Sequence, residues 1–286
     1  MRWKVISIAI IVLAGVAIAV AIRYGAKRWQ ARTNELQAEL EAARSPIAPK
    51  SYDSGELENL PLPVQRYFRT VLKEGQPLVA AVSLAHTGTF NMSETGEQWQ
   101  PFTSTQRVIT RRPGFVWDAR IQMAPAMPVF VYDAYIAGEG MLTAKPFGLL
   151  TVMEQPSTPE LAQGELMRFL AEGTWYPTAL LPSQGVVWEA IDDTQASVTL
   201  TDGPTTAKLV FQFEAQGLIR TVRSEGRYRD VDGVPVATPW EGRFWDYAWR
   251  GGMLIPLEGE VAWLLQDGPK PYWRGRIQRI EYEYAP

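Results

Sequence analysis

Glu165, Arg168 and Glu172 stand at i, i+3 and i+7. On a helix that spacing sets two carboxylates and a guanidinium on roughly one face. Such a trio can hold a carboxylate or phosphate ligand through Arg168. It can equally close on itself as an ionic ladder that fixes the helix against a sheet. Inside a protein the trio demands full pairing, because an uncompensated buried charge costs several kcal/mol. The second dense polar cluster, PWEGRFWDY, carries Glu241, Arg243 and Asp246. Glu241 and Asp246 are the residue types that general acid–base hydrolysis uses. In a strand, alternation puts Trp240, Gly242, Phe244 and Asp246 on one face and Glu241, Arg243, Trp245 and Tyr247 on the other. The two carboxylates then oppose each other unless a bulge intervenes. No catalytic residue is assigned from either cluster.

Other chemistries are narrowed by composition. The sequence has one histidine, His86, and no cysteine, which removes thiolate nucleophiles, disulfides and Cys/His zinc sites. A serine–histidine triad would have to use His86, yet no G-x-S-x-G elbow is present, and its strand phase with Val82 and Leu84 suits a hydrogen-bonded core or cavity-wall residue. Gly138-Glu139-Gly140 is only G-x-G, more a turn than a nucleotide cradle. Asp118, Asp133 and Glu139 lie near aromatic residues without the spacing of a metal motif, so neither metal nor cofactor is expected. A net charge of −3 with mixed signs gives no nucleic-acid footprint. The unusual resource is aromatic: 11 Trp, 11 Tyr and 10 Phe. Trp117, Trp175, Trp188, Trp245, Trp263 and Trp273 are candidates, with Arg168, to line a cavity for an acyl chain or another amphipathic ligand. The same rings would also fill a large sheet interior.

The elements that must position these groups are mostly strands. From Val79 onward the period is two: Val82, Leu84, His86 and Phe90; Phe130, Tyr132 and Ala134; Ala196, Val198 and Leu200; Leu209, Phe211 and Phe213; Val261, Trp263 and Leu265. Asp202-Gly203, Asp232-Gly233 and Asp267-Gly268 mark turns between them. Strands do not alternate with long helices, so a parallel α/β fold is unsuited. One helix opens at Thr158-Pro159-Glu160 and carries the Glu165 cluster until Gly173. TWYPTALLP after it reads as a loop or short helix packed into the open side of a curved sheet. Another helix begins at Pro63, with Val64, Tyr67, Phe68, Val71 and Leu72 as its apolar stripe. The fold class is mainly β, an α+β arrangement in which a large curved antiparallel sheet packs on a few helices.

Ahead of this body, Val5 to Ile22 contains no charged residue, which is long enough to cross a lipid core of about 30 Å. Residues 1–25 are expected as a transmembrane anchor, 26–59 as a helical stalk and linker, and 60–286 as a single antiparallel-sheet domain. Lys27, Arg28 and Arg32 would sit near lipid phosphates. The small-x-small triplets Ala17-Ile18-Ala19 and Ala19-Val20-Ala21 also suit a cleaved signal, but the apolar run is long for one and its far end is basic. Arg2 and Lys4 argue for an inside N-terminus and Arg23, Lys27, Arg28 and Arg32 for an inside C-terminus, so charge leaves the side open. A first helix after a short tail commonly exports the domain behind it. The expectation is a single-pass protein of a bacterial inner membrane with a periplasmic body.

The segments LPLPVQRYFRTVL, GFVWDARI, GELMRFLAEGTWYPTALLP, PWEGRFWDY and YWRGRI resemble an uncharacterised bacterial family, a domain of unknown function, over about residues 60–284. That family supplies no activity or catalytic residues to carry over. More remotely, the order of elements resembles the periplasmic lipoprotein-carrier fold. The resemblance implies a curved antiparallel sheet around helices with an apolar cavity for acyl chains. This chain lacks the lipid-modified cysteine of lipoprotein members, and a membrane helix would replace it. The leading expectation is therefore a membrane-anchored envelope protein that binds a lipid, acyl chain or similar ligand. Two alternatives stand beside it: a structural or protein-interaction module with no partner named, and a hydrolase that uses Glu165, Glu172, Glu241 or Asp246 in one cleft.

Overall fold

The computed structural model describes residues 2–93 and 95–286. The side chains of Arg2, Lys4 and Val5, and with them the basic flank expected before the apolar run, lie outside the described residues. Thirteen strands form one antiparallel sheet. They are β1 (Val79–Asn91), β2 (Trp99–Ile109), β3 (Gly114–Ala124), β4 (Met127–Ile136), β5 (Glu139–Pro146), β6 (Met153–Gln155), β7 (Val187–Ala190), β8 (Gln195–Asp202), β9 (Thr205–Phe213), β10 (Ile219–Val231), β11 (Val234–Arg250), β12 (Met253–Leu265) and β13 (Gly268–Tyr284). Their spatial order is β6-β5-β4-β3-β2-β1-β13-β12-β11-β10-β9-β8-β7. Each expected alternating run lies in a strand, and the expected turns fall between neighbours. At Asp232-Gly233 both residues take positive φ, 54° and 81°, the primed-turn geometry that matches strand twist.

Three helices complete the fold: α1 (Arg2–Ala42), α2 (Leu62–Val71) and α3 (Pro159–Glu172). Thr158 caps α3 by accepting from the Leu161 amide, and Pro159 fills the first turn, where no donor is needed. α3 packs on β3, β4 and β5 and also on β9 and β10. Those strands are near opposite edges of the sheet, so the sheet must curl around the helix, and it does so without closing. After α3 the chain winds through 3-10 turns at Gly173–Trp175, Pro177–Leu180 and Pro182–Gln184, all on the concave side. α2 adds Val64, Tyr67, Phe68 and Val71 to the same interior.

The other face is covered too. α1 is one continuous helix. It is exposed from Ile6 to Tyr24 and first buried at Gly25. Beyond Gly25, Trp29, Leu36 and Leu40 are buried against the outer face, the last two beside Ala81, Ile109, Val116, Ala134 and Ile136. Burying each leucine contributes roughly 1.5–3 kcal/mol. Asp118 on β3 accepts from Trp29 Nε1 at 2.9 Å and from Thr33 Oγ1 at 3.0 Å. The segment expected as a helical stalk is helical here and lies docked on the sheet. Arg32 pairs with Glu35 and Glu39, each at 3.2 Å. Within the expected linker, Tyr52 and Leu57 are buried in the main core. Which strands these residues meet is not readable from periodicity, because the contacts join elements far apart in the chain.

Candidate functional site

β2, β3 and β4 point alternate residues into the curl, and three polar side chains come with the apolar ones. Gln106 lies between Ser104 and Val108 in the inward phase of β2, and Asp133 precedes inward Tyr135 by two on β4. Arg168 reaches across from α3. Its Nη1 is 2.5 Å from Asp133 Oδ2 and its Nε 2.7 Å from Glu172 Oε1. Gln106 Nε2 donates to the other Glu172 oxygen at 2.5 Å. The Arg168 guanidinium also lies over the Phe115 and Trp117 rings, at 4.7 and 5.2 Å.

Glu165 lies between this cluster and β10: Asp133 is on one side, and on the other Arg227 Nη2 is 3.4 Å from its Oε1. Arg227 in turn sits over the Trp240 ring at 5.1 Å. Glu165 is 5% exposed. Burial, with the negative Asp133 beside it, pushes its carboxyl up to about 8. Glu165 Oε2 and Asp133 Oδ1 are both buried and make no hydrogen bond to any described group if both acids are ionised. A proton on Glu165, donated toward Asp133, satisfies both. The charges then cancel: Arg168 and Arg227 against Asp133 and Glu172, with Glu165 neutral. A balanced cluster is what a low-dielectric interior tolerates.

Next to it lies a patch of polar atoms that the fold leaves without partners. His86 on β1 is register partner to Ser104 on β2. Its ring centroid is 5.0 Å from that of Trp175 and 6.1 Å from that of Trp273. Both His86 nitrogens, Ser104 Oγ, Thr174 Oγ1 and Trp175 Nε1 are buried, and none hydrogen-bonds another described group. Burial and the positive Arg168 lower the His86 imidazole to about 3, so it is neutral, with one donor and one acceptor nitrogen. Trp273 can lie flat here because its neighbour is Gly275, where a Cβ would collide with its ring.

The structure therefore gathers Glu165, Arg168, Glu172, Trp117, Trp175 and Trp273 on the concave side. Trp263 joins at one remove: it stacks on Tyr272, whose hydroxyl accepts from Trp240 Nε1 at 2.9 Å. Trp188 lies elsewhere in the same core, against Phe68, Phe211 and Phe213. Glu241, Arg243, Trp245 and Asp246 are outside the curl. Glu241 pairs with Arg243 at 2.7 Å, Trp245 Nε1 donates to Glu258 at 2.6 Å, and Asp246 pairs with Arg276 at 2.9 Å. The strict alternation expected through Asp246 breaks there. Asp246 takes φ 58°, which turns its carboxylate to Arg276 without shifting the strand register. The four carboxylates do not share one cleft, since the sheet separates Glu165 and Glu172 from Glu241 and Asp246.

Two cavities open to the surface. One of about 460 Å³ lies over the first turn of α3, lined by Thr158, Pro159, Ala162, Gln163, Thr205 and Tyr228 among others. The second, about 320 Å³, is an outer groove that includes Trp245, Glu258, Arg274 and Arg276. Of the six expected tryptophans only Trp245 lines either cavity; the inner rings pack against one another. Among the described residues no group of three or more His, Cys, Asp and Glu is placed to hold a metal ion.

The model of a family of unknown function, DUF6920, matches residues 58–282. The chain belongs to that family. The DUF6920 region begins just before α2 and takes in the sheet except for the last two residues of β13, in step with the extent of the motifs. No curated protein matches the chain. Among solved structures, the LolA superfamily protein NE2245 from Nitrosomonas europaea is 12% identical with a TM-score of 0.31, over 88% of this chain and 94% of that one. A beta-barrel-like protein of the DUF1849 domain family from Brucella abortus is 9% identical with a TM-score of 0.20, over 72% and 99%. Sequence reading missed Ser104, Gln106, Thr174 and Arg227 as members of the inner cluster. The signal for the β2 pair was present: two polar residues in an inward strand phase between Phe102 and Val108.

Proposed function

We propose that this DUF6920 chain is a membrane-anchored binding module that takes an amphipathic ligand into the concave side of its sheet. The observation that carries the reading is the unpartnered patch of His86, Ser104, Thr174 and Trp175. Buried donors and acceptors without partners cost about 1–3 kcal/mol each, and a polar group placed among them recovers that free energy. The neighbouring charges already cancel, and His86 is neutral. The ligand's head is therefore an uncharged hydroxyl, carbonyl or ester group rather than a free ion. Trp117, Trp175 and Trp273, which pack among themselves and with Phe102 and His86, must part to give the rest of the ligand its apolar contact. The entry this reading uses is the 460 Å³ cavity over the first turn of α3, whose lining includes Ala162, about one helical turn before Glu165.

The anchor is α1. Its Ile6–Ala42 portion contains a window apolar enough to cross a membrane, and its continuity with the docked segment supports retention over cleavage. The reading places the body on the periplasmic side of a bacterial inner membrane; protease digestion of intact spheroplasts should cleave it there, and full protection would reverse the side. The binding test is organic extraction of the purified full chain followed by mass spectrometry. An amphiphile in near-stoichiometric amount, depleted in Ser104→Val and His86→Phe variants that keep their fold, is the expected result. A wild-type protein that carries no amphiphile and takes none from added phospholipid or monoacylglycerol sinks the reading.

A further inference from the structure

α1 lies along β3 and β4 in a fixed direction. Trp29 meets Phe130 at 5.7 Å between ring centroids, near the start of β4, while Leu40 lies against Gly114 at the start of β3. Antiparallel pairing puts the start of β4 and the end of β3 at one end of the sheet, so the exposed half of α1 projects from that end. The connections at that end that adjoin β4 are the β3–β4 turn at 125–126 and the β5–β6 segment 147–152, since Val129 pairs with Pro146.

The β5–β6 segment touches the helix where it leaves the body. A Cβ on Gly25 would collide with the Phe147 carbonyl oxygen and fall 2.6 Å from Leu149 Cγ. A Cβ on Gly148, which has φ 70°, would fall 2.8 Å from the Gly25 oxygen. Two glycines thus let backbone rest on backbone at this crossing. The uncharged run of α1 ends at Ile22, three residues before Gly25, a rise of about 4.5 Å. At this same place are the two most exposed large apolar side chains outside the anchor helix among the described residues. Leu150 is 70% exposed and Val152 64%, with Met153, Met127 and Leu149 beside them at 47, 40 and 38%. An apolar cluster of this kind on an aqueous surface marks an interaction site.

We infer that residues 147–153, with Met127, form a membrane-seated collar that enters the lipid interface beside the anchor. The occupant is the bilayer that α1 crosses, because the patch is continuous with the apolar helix and begins at its exit point. Lys27, Arg28 and Lys145 flank the collar and suit anionic headgroups. Insertion of several apolar side chains to a depth of about 5–10 Å is what holds interfacial segments on membranes. The collar is a second contact that stops the body from swinging about its anchor. This inference rests on the anchor reading.

The test uses the full chain in vesicles of phosphatidylethanolamine and phosphatidylglycerol. The absence of native cysteine allows single environment-sensitive labels at Leu13→Cys, Leu150→Cys, Val152→Cys and Glu139→Cys. Glu139 is exposed at the opposite end of β5, about 24 Å away at 3.4 Å per residue. Nitroxide lipids quench at headgroup or mid-chain depth. Labels at Leu150 and Val152 should lose about half or more of their emission to the headgroup-level quencher, as an interfacial depth requires. Leu13 should respond to the mid-chain quencher and Glu139 to neither. If Leu13 is quenched while Leu150 and Val152 behave like Glu139, the collar is wrong and the anchor stands. If Leu13 is not quenched, the anchor reading fails and the collar with it.

Discussion

Glu165→Gln is the most informative perturbation of the interior. Gln copies the shape and hydrogen-bonding of a protonated Glu165 but cannot ionise. The folded state holds the Glu165 proton up to about pH 8, whereas the unfolded chain releases it near 4.5. Between those limits the unfolded state binds fewer protons, so wild-type stability is fully present below 4.5 and falls as pH rises toward 8. The slope is about 1.4 kcal/mol per pH unit, which accumulates to on the order of 5 kcal/mol across the window. His86 acts in the opposite sense between about 6.5 and about 3, but it is present in both proteins and drops out of their difference. Asp133, Arg168, Arg227 and Tyr272 also face or neighbour the site and are likewise unchanged. The assay is denaturant unfolding of the full chain in detergent, followed by tryptophan emission from about pH 5 to about pH 8. The variant should match wild type at the acid end and exceed it increasingly toward the alkaline end. A constant difference across the window would refute a neutral Glu165 and with it the charge balance.

His86→Phe should remove two unpartnered nitrogens, keep or raise the unfolding midpoint at neutral pH, and flatten the loss of stability as pH falls from 6.5 toward 3; an unchanged acid limb counts against a neutral buried imidazole. Asp118→Ala should strip Trp29 and Thr33 of their acceptor and cost about 2–3 kcal/mol, and limited proteolysis should then cut within residues 26–44, which wild type protects. Gly275→Val should clash with the Trp273 ring and lower the midpoint strongly, while Gly75→Val, where no atom lies within 4 Å but φ is 74°, should cost only about 1–2 kcal/mol of backbone strain; equal losses would deny Trp273 its flat seat.

The strands were legible because each buries one phase and the period of two survives in Leu209, Phe211 and Phe213. The α3 helix was legible from Thr158 and Pro159, which fix its start by local hydrogen bonding alone. The partners of Arg168 were not. Asp133 and Gln106 come to it only after β2 and β4 have been brought alongside α3 by the curl of the sheet. The docking of α1 left a trace in Trp29, Thr33, Leu36 and Leu40, spaced i, i+4, i+7 and i+11. That stripe is diluted by the charged residues around it, so composition pointed to a stalk without naming the strands it meets. Asp246 escaped because a single residue at positive φ overrides alternation, and Asp tolerates that conformation without the signature of a glycine.

Because α1 runs from its exposed apolar half into its docked half without a break, rotation is transmitted as faithfully as position. Inserting one residue ahead of Gly25 would turn the exposed half by about 100° and lengthen it by about 1.5 Å relative to the sheet. Whatever packs on this helix beyond the body thus meets a side chosen by where Trp29 and Leu36 lodge on the sheet. The azimuth of the exposed half is written on the outside of the sheet.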